Sequence, residues 1–250
     1  MTKNLFKRER LTSYDYLITR EQPFSFVSEA FQKTLVNLEF VNVDGNLNVL
    51  QFTSSLAGAG KTTFISNIIY LLGQKNKKVV VIDLDLRKPR INRVFNAPNT
   101  NGVTDYLAGK INYETLVNYS DKLKVNYIVA GERTLSVVNV LEANKLKELI
   151  KKLKSEFDYV LVDSPPVIAV SDALYIAKLV DGVIFVVGQN EAKKTIINEA
   201  VSILRQNKVN IIGSVFTQVN VKDSEVLAYT YGYGYRYGYD DLNNKKKTND

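Results

Sequence analysis

Apolar residues along this chain fall into two alternating periods. Short, β-branched runs occur at Asn48–Thr53, Lys78–Asp83, Val125–Ala130, Tyr159–Asp163, Gly182–Gly188 and Asn210–Thr217. Runs such as VVVI, YVLV and VIFVV are what strands buried on both faces look like, as in a parallel sheet. Between most of them the period lengthens to that of a helix, at Gly60–Gln74, Val140–Glu156, Ser171–Leu179 and Lys193–Gln206. A further helix is expected from about Ser25 to Phe40, with Ala30, Phe31, Leu35 and Leu38 on one face. Strand–helix alternation with right-handed crossovers predicts an α/β domain with a doubly wound, mainly parallel sheet over residues 25–222. Residues 1–24 read as an irregular segment and 223–250 as a flexible tail.

The tail has its own pattern. Tyr229, Tyr231, Tyr233, Tyr235, Tyr237 and Tyr239 occupy every odd position of YTYGYGYRYGY. Period two suits a strand, but Gly232, Gly234 and Gly238 weaken one. The segment reads either as a flexible display of tyrosines or as an aromatic low-complexity sticker.

Composition narrows the chemistry. The 250 residues contain no His and no Cys. That excludes the usual zinc ligand sets, Ser-His-Asp and Cys-His nucleophiles, and thiol redox. What remains is Asp, Glu, Lys, Arg, hydroxyls and backbone dipoles, which favours phosphate chemistry. The net charge is +7, part of it in Lys3, Lys7, Arg8, Arg10 and Lys245–Lys247. Such basic ends suit an acidic partner, a membrane surface or simple solubility. No basic helix with interleaved aromatics points to nucleic acid, and no apolar run suggests a signal peptide or a membrane span.

Three motifs end three of the expected strands. Ser55-Leu-Ala-Gly-Ala-Gly60-Lys61-Thr62 follows an apolar strand and opens a helix, the context of a phosphate-binding P-loop. Ser55 stands where the usual pattern begins with Gly. The backbone N–H groups of Gly58 to Thr62 would wrap phosphate oxygens, Lys61 would reach the β/γ-phosphates, and Thr62 would ligate Mg²⁺. Ser55, Gly58, Ala59, Gly60, Lys61, Thr62 and Thr63 are thus the candidate nucleotide-binding set. The second motif, Asp83-Leu-Asp85-Leu-Arg87, puts two carboxylates on the same side of an extended chain. Alone it could be strand-end solvation or a helix cap; beside a P-loop it reads as a metal and nucleophile-activating site. A tyrosine hydroxyl, with a pKa near 10, benefits from a positioned carboxylate base. The third, Tyr159–Asp163 followed by Ser-Pro-Pro, is a Walker B pattern in which Asp163 holds the metal directly or through water.

The set Ser54–Thr62, VVVIDLDLRKP and FDYVLVDSPPV, closed by a tyrosine cluster, resembles the bacterial tyrosine kinases (BY-kinases). More narrowly, it is similar to the stand-alone cytoplasmic CpsD/CapB/EpsB-like kinases of capsule and exopolysaccharide operons. The resemblance implies a P-loop NTPase fold related to MinD and ParA, with ATP and Mg²⁺ as cofactors. It implies protein-tyrosine kinase activity, with autophosphorylation of Tyr229–Tyr239 mainly between subunits of a ring-like homo-oligomer. By carry-over, Lys61, Asp83 and Asp85 are catalytic, with Asp83 the candidate base, and Thr62, Asp83, Asp85 and Asp163 serve the metal. Arg87 would steady the phosphate region, pair with Asp85 or form a structural ion pair. The implied partners are a separate transmembrane polysaccharide co-polymerase acting as activator, and a cognate tyrosine phosphatase. The implied location is cytoplasmic, held at the membrane through that activator.

Departures from the family pattern accompany the match. The ring-building Glu-x-x-Arg-x-x-Arg helix reads Glu29, Gln32 and Leu35, with Lys33 nearby. Thr217 and Gln218 stand where relatives show Asn near the adenine, and Gly131–Asn139 lacks the usual proline-rich stretch. Leu56 occupies the position of the signature lysine of MinD/ParA-type ATPase switches, which argues against that alternative. A nucleotide-holding scaffold is a third reading. Six phosphotyrosines would add roughly −9 to −12 of charge, enough to overturn the +7 and push crowded tails apart.

Overall fold

The computed structural model describes residues 17–41, 47–189 and 191–219. Its helices and strands run α1 (Ile18–Glu21), α2 (Phe26–Val41), β1 (Val49–Ser54), α3 (Lys61–Gln74), β2 (Val79–Asp83), α4 (Ile91–Val94), α5 (Val103–Leu107), α6 (Tyr113–Leu116), β3 (Asn118–Ser120), β4 (Val125–Ile128), α7 (Val137–Glu142), α8 (Asn144–Glu156), β5 (Tyr159–Asp163), α9 (Asp172–Ala177), β6 (Gly182–Gly188), α10 (Lys194–Gln206) and β7 (Ile211–Thr217). Among the described residues the strands form one sheet in the order β3-β4-β2-β5-β1-β6-β7. Every neighbouring pair is parallel except β3 with β4. The doubly wound parallel architecture expected from the apolar runs is the one found.

Alternation along the strands divides the core. Leu50, Phe52, Val79, Val81, Leu161 and Val186 pack toward Ile65, Ile68 and Leu72 of α3 and Leu35 and Leu38 of α2. Val49, Val80, Ile82, Val160 and Val162 face the other way, onto Leu146, Leu149, Ile150 and Leu153 of α8 and Ile176 of α9. Phe185 and Val187 meet Ala200 and Leu204 of α10. Both faces of β1, β2, β5 and β6 are therefore buried, which is why β2, β5 and β6 carry no alternation of apolar with polar residues, while the polar Gln51 and Thr53 of β1 are buried with hydrogen-bond partners.

Three local expectations change. The single helix expected over Val140–Glu156 is two, α7 and α8, separated at Ala143, whose ψ of 132° is extended. Leu141 and Leu146 both reach the core. Five residues turn a helix by about 500°, so an unbroken one would put them on different faces. Within α2 the inward positions are Ser28, Phe31, Leu35 and Leu38, whereas Ala30 is exposed. Finally, residues 17–24, inside the segment expected to be irregular, contain the helical turn α1. Leu17 is buried, and the backbone N–H and hydroxyl of Thr19 both donate to Asn67 Oδ1 of α3, at 3.1 and 2.9 Å.

The described residues up to Thr217 belong to one compact unit, and a second unit starts at Gln218. The six tail tyrosines lie outside the described residues. No described helix is long and apolar enough to cross a membrane.

Candidate nucleotide and phosphoryl-transfer site

The three motif strands are neighbours: β5 lies between β2 and β1, with Asp83 in register with Asp163 and Phe52 with Asp163. A parallel sheet places equivalent chain ends at the same edge. The P-loop, the Asp83–Arg87 segment and the Asp163–Pro166 segment therefore converge beyond the carboxyl ends of three adjacent strands, where α/β sheets bind ligands.

The P-loop turns through two left-handed glycines, Gly58 (φ 100°) and Gly60 (φ 78°). Gly60 is the residue before α3, and no side chain caps that helix. Its first N–H groups are left to an anion, in line with a helix start that serves as a phosphate cradle. Lys61 lies within the first turn, 8% exposed, with Nζ donating to Ser54 Oγ at 2.9 Å. Burial lowers its pKa, opposed first by the charge of Asp163 and then by those of Asp85 and Glu191. Ser55, at the position usually held by Gly, is fully buried and its hydroxyl has no hydrogen-bond partner. An orphaned hydroxyl and a desolvated ammonium on one loop fit a bound polyanion.

Thr62 Oγ1 donates to Asp163 Oδ2 at 2.8 Å, bringing together two of the four residues expected to serve Mg²⁺. Asp163 is 2% exposed, and burial pushes its pKa up to about 6 against the pull of Lys61 and the Thr62 hydrogen bond. Among the described residues no three acidic side chains gather closely enough to hold a metal alone. A hydroxyl, a carboxylate and phosphate oxygens together would suit Mg²⁺, which keeps several waters and takes few protein ligands.

Asp83 and Asp85 are placed differently. Asp83 is fully buried; Oδ2 accepts the N–H groups of Arg90 (2.8 Å) and Ile91 (2.9 Å), and Oδ1 that of Asp85 (3.1 Å). Burial and the nearby Asp163 raise its pKa, opposed by the Ile91 and Arg90 N–H groups. The side chain clasps the loop that follows β2. Asp85 is only half-buried, with Oδ1 accepting the Lys88 N–H at 3.0 Å. Arg87 pairs neither with Asp85 nor with the phosphate loop. Its guanidinium makes two hydrogen bonds to Asp172 at the start of α9, Nε to Oδ2 at 2.6 Å and Nη2 to Oδ1 at 3.1 Å.

Other residues enter that sequence reasoning did not single out. Ser54 receives Lys61; Asp172 holds Arg87; Glu191, just beyond β6, interacts electrostatically with Lys61. Glu191 has both carboxylate oxygens shielded and without hydrogen-bond partners. Ser54 was visible as part of the motif; Asp172 and Glu191 carried no spacing signal. Thr217 Oγ1 donates to Ala59 O at 2.6 Å, so the end of β7 abuts the P-loop. On α2, Glu29, Gln32 and Lys33 are exposed, whereas Leu35 is fully buried and belongs to the core rather than to any interface.

Comparison with known proteins extends these observations. A family model described as an AAA domain matches residues 47–206. The chain is 30% identical over 199 residues to the tyrosine-protein kinase YwqD of Bacillus subtilis, covering 80% of this chain and 84% of that protein. It is 31% identical over 232 residues to the tyrosine-protein kinase etk of Escherichia coli, covering 91% of this chain but 32% of that longer protein. Among solved structures, the kinase domain of E. coli ETK superposes with a TM-score of 0.79 at 25% identity, covering 90% of this chain and 89% of that one. The septum site-determining protein MinD of Pyrococcus horikoshii, complexed with Mg-ADP, matches with a TM-score of 0.57 at 25% identity over 68% of this chain and 69% of that one.

Proposed function

The chain belongs to the bacterial tyrosine-protein kinase family, and from that premise we propose that it transfers the γ-phosphoryl group of ATP to tyrosine hydroxyls. The observation that carries this reading is the convergence of Lys61, the Thr62–Asp163 pair and Asp85 at the edge of three adjacent strands. The acceptors we propose are Tyr229, Tyr231, Tyr233, Tyr235, Tyr237 and Tyr239, presented mainly by a neighbouring copy. We assign the protein to control of capsule or exopolysaccharide synthesis with a transmembrane activator on a separate chain, and assign dephosphorylation to a tyrosine phosphatase.

Phosphoryl transfer of this kind asks the protein for positioning and charge neutralisation rather than covalent catalysis. The N–H groups at the start of α3 and the loop residues Ser55–Gly60 would hold the phosphates, with Thr63 in the same first turn. Lys61 would bridge the β- and γ-phosphates, leaving Ser54 as it turns toward them. Thr62 and Asp163 would hold Mg²⁺, with Asp85 completing its shell from the loop after β2, and the metal would neutralise charge on the transferring phosphoryl group when bound.

The tyrosine proton needs a carboxylate that a substrate can reach. Asp83 was the expected base, but its two oxygens already accept three backbone N–H groups in a fully buried position. Freeing it would open the loop it clasps. Asp85, two residues on and half-buried, is the carboxylate we assign to that role, with Asp83 as the residue that shapes its loop. Leu56, in place of the lysine of MinD-type switches, supports kinase over ATPase switch.

Intact-mass spectrometry of protein purified from its own host, beside a Lys61→Met form, tests the proposal. A ladder of phosphate increments mapping to Tyr229–Tyr239 and absent from the variant is expected. A single unmodified mass in both, with ATP-dependent release of inorganic phosphate, would assign the chain to an ATPase switch instead.

A further inference from the structure

Asp172 is an acidic side chain that the phosphoryl-transfer chemistry does not use, yet it is fully buried. A buried carboxylate is costly without a partner, and its partner comes from a different strand's loop. Arg87 reaches it from the segment after β2, through a two-pronged contact that fixes orientation as well as distance. The Arg87 side chain as a whole remains 45% exposed.

Arg87 lies on the loop after β2 and Asp172 on α9, whose start Gln51 of β1 joins to the segment after β5: its Nε2 donates to Ala173 O at 2.9 Å and to Ser164 Oγ at 3.0 Å. From Asp163 to Ile168 the chain is bound to β1 and the P-loop. Ser164 Oγ donates to Phe52 O at 2.8 Å and Thr53 Oγ1 donates to Pro165 O at 2.8 Å. The N–H groups of Val167 and Ile168 donate to Ser54 O and Ser55 O, at 2.8 and 3.3 Å. This segment is a strut attached to the same loop that would hold the phosphates. The loop after β2 is anchored on its near side by the Asp83 clasp, by Leu84 N–H to Asp163 O at 2.9 Å and by burial of Leu84 and Leu86. Asp85 lies between those two leucines, and Arg87 follows at once.

We infer that the Arg87–Asp172 pair is a positioning latch, which ties the Asp85 loop to the strut and so sets where Asp85 stands relative to Asp163 and Thr62. The inference rests on the phosphoryl-transfer reading above. Arg87 touches no expected reacting atom; it acts through Asp85. Because the near-side anchors do not involve it, the fold should survive its loss while the metal-binding geometry loosens.

The test is Mn²⁺ binding to the ADP-loaded full chain, followed by the electron paramagnetic resonance signal of free Mn²⁺, alongside ADP affinity in EDTA and a melting curve. Arg87→Gln and Asp172→Asn should each weaken Mn²⁺ binding about tenfold, the scale on which residues supporting metal ligands act. ADP affinity in EDTA should stay within about twofold. The double variant should bind Mn²⁺ no worse than either single one, since both remove the same contact. Arg87→Lys, which keeps the charge but not the two-pronged contact, should recover part of the loss. Unchanged Mn²⁺ affinity in the Arg87→Gln and Arg87→Lys forms, with only the melting temperature lowered, would make the pair purely structural and overturn the inference. If Asp172→Asn fails to fold, the two Arg87 variants decide alone. A wild-type chain that binds neither ADP nor Mn²⁺·ADP would instead overturn the phosphoryl-transfer reading itself.

Discussion

Replacing Asp163 with Asn should destroy activity and stabilise the empty protein. Asp163 is 2% exposed, and burial raises its carboxyl pKa from an ordinary 3.8 to about 6. At pH 7.5 the folded chain must keep it ionised, which costs on the order of 3 kcal/mol relative to an exposed carboxylate. Asn removes that cost and can still accept the Thr62 hydroxyl through its amide oxygen. The pull of Lys61 is already contained in that figure, but part of the gain is lost again because the amide NH2 that replaces one carboxyl oxygen enters a desolvated site. The net expectation is about 1–2 kcal/mol in urea unfolding, or about 3–6 °C in melting temperature. The sign follows from the raised pKa. Well below pH 3.8 the carboxyl is protonated whether folded or unfolded, so wild type and variant should be equally stable. As pH rises from 3.8 the unfolded chain gives up its proton first, wild type loses stability, and the gap opens up to about pH 6 and stays constant above it. Urea titrations of both proteins from about pH 3 to pH 8, free of nucleotide and metal, measure this directly. A variant less stable than wild type at pH 7.5, or a gap indifferent to pH, would refute the reasoning. Phosphotyrosine labelling by the variant should be lost throughout.

Two further outcomes are expected. Asp85→Asn should abolish phosphotyrosine formation while leaving the melting temperature within about 1 °C, whereas Asp83→Asn should lower both, because an amide NH2 replaces one of the two oxygens that together accept three backbone N–H groups and faces its donors with a donor; equal melting temperatures for the two variants, read by calorimetry, would contradict the clasp. Asn67→Ala removes the acceptor of both Thr19 hydrogen bonds and should destabilise by about 2 kcal/mol, with limited proteolysis cutting near Thr19 before the rest of the domain is cleaved.

The parallel sheet was legible because β2, β5 and β6 are buried on both faces, and such strands advertise themselves as unbroken apolar runs. The phosphate loop was legible because its chemistry is local. Two glycines at positive φ, a lysine and a hydroxyl must lie within five residues, so spacing alone identifies Gly58, Gly60, Lys61 and Thr62. The break between α7 and α8 was written in the five-residue step from Leu141 to Leu146, although a count of apolar positions passes over it. Short elements such as β3 and α4–α6 span too few residues to establish any period.

What the linear order could not supply is every relation between distant residues. Sequence placed Asp83 and Asp85 at one strand end, and the family resemblance named Asp83 the base. Only the tertiary structure separates them, burying one under three N–H groups and leaving the other half-buried. Leu35 aligned with an interface position, and its place in the core is decided by the face that α2 turns to the sheet. Arg87 could have met a phosphate, Asp85 or nothing in particular; Asp172, 85 positions away, is its partner because β2 and β5 lie side by side. A motif records which groups a reaction needs, since those must be neighbours along the chain or at strand ends. Which of them faces the substrate depends on desolvation and hydrogen bonding by the rest of the fold, and those are properties of packing.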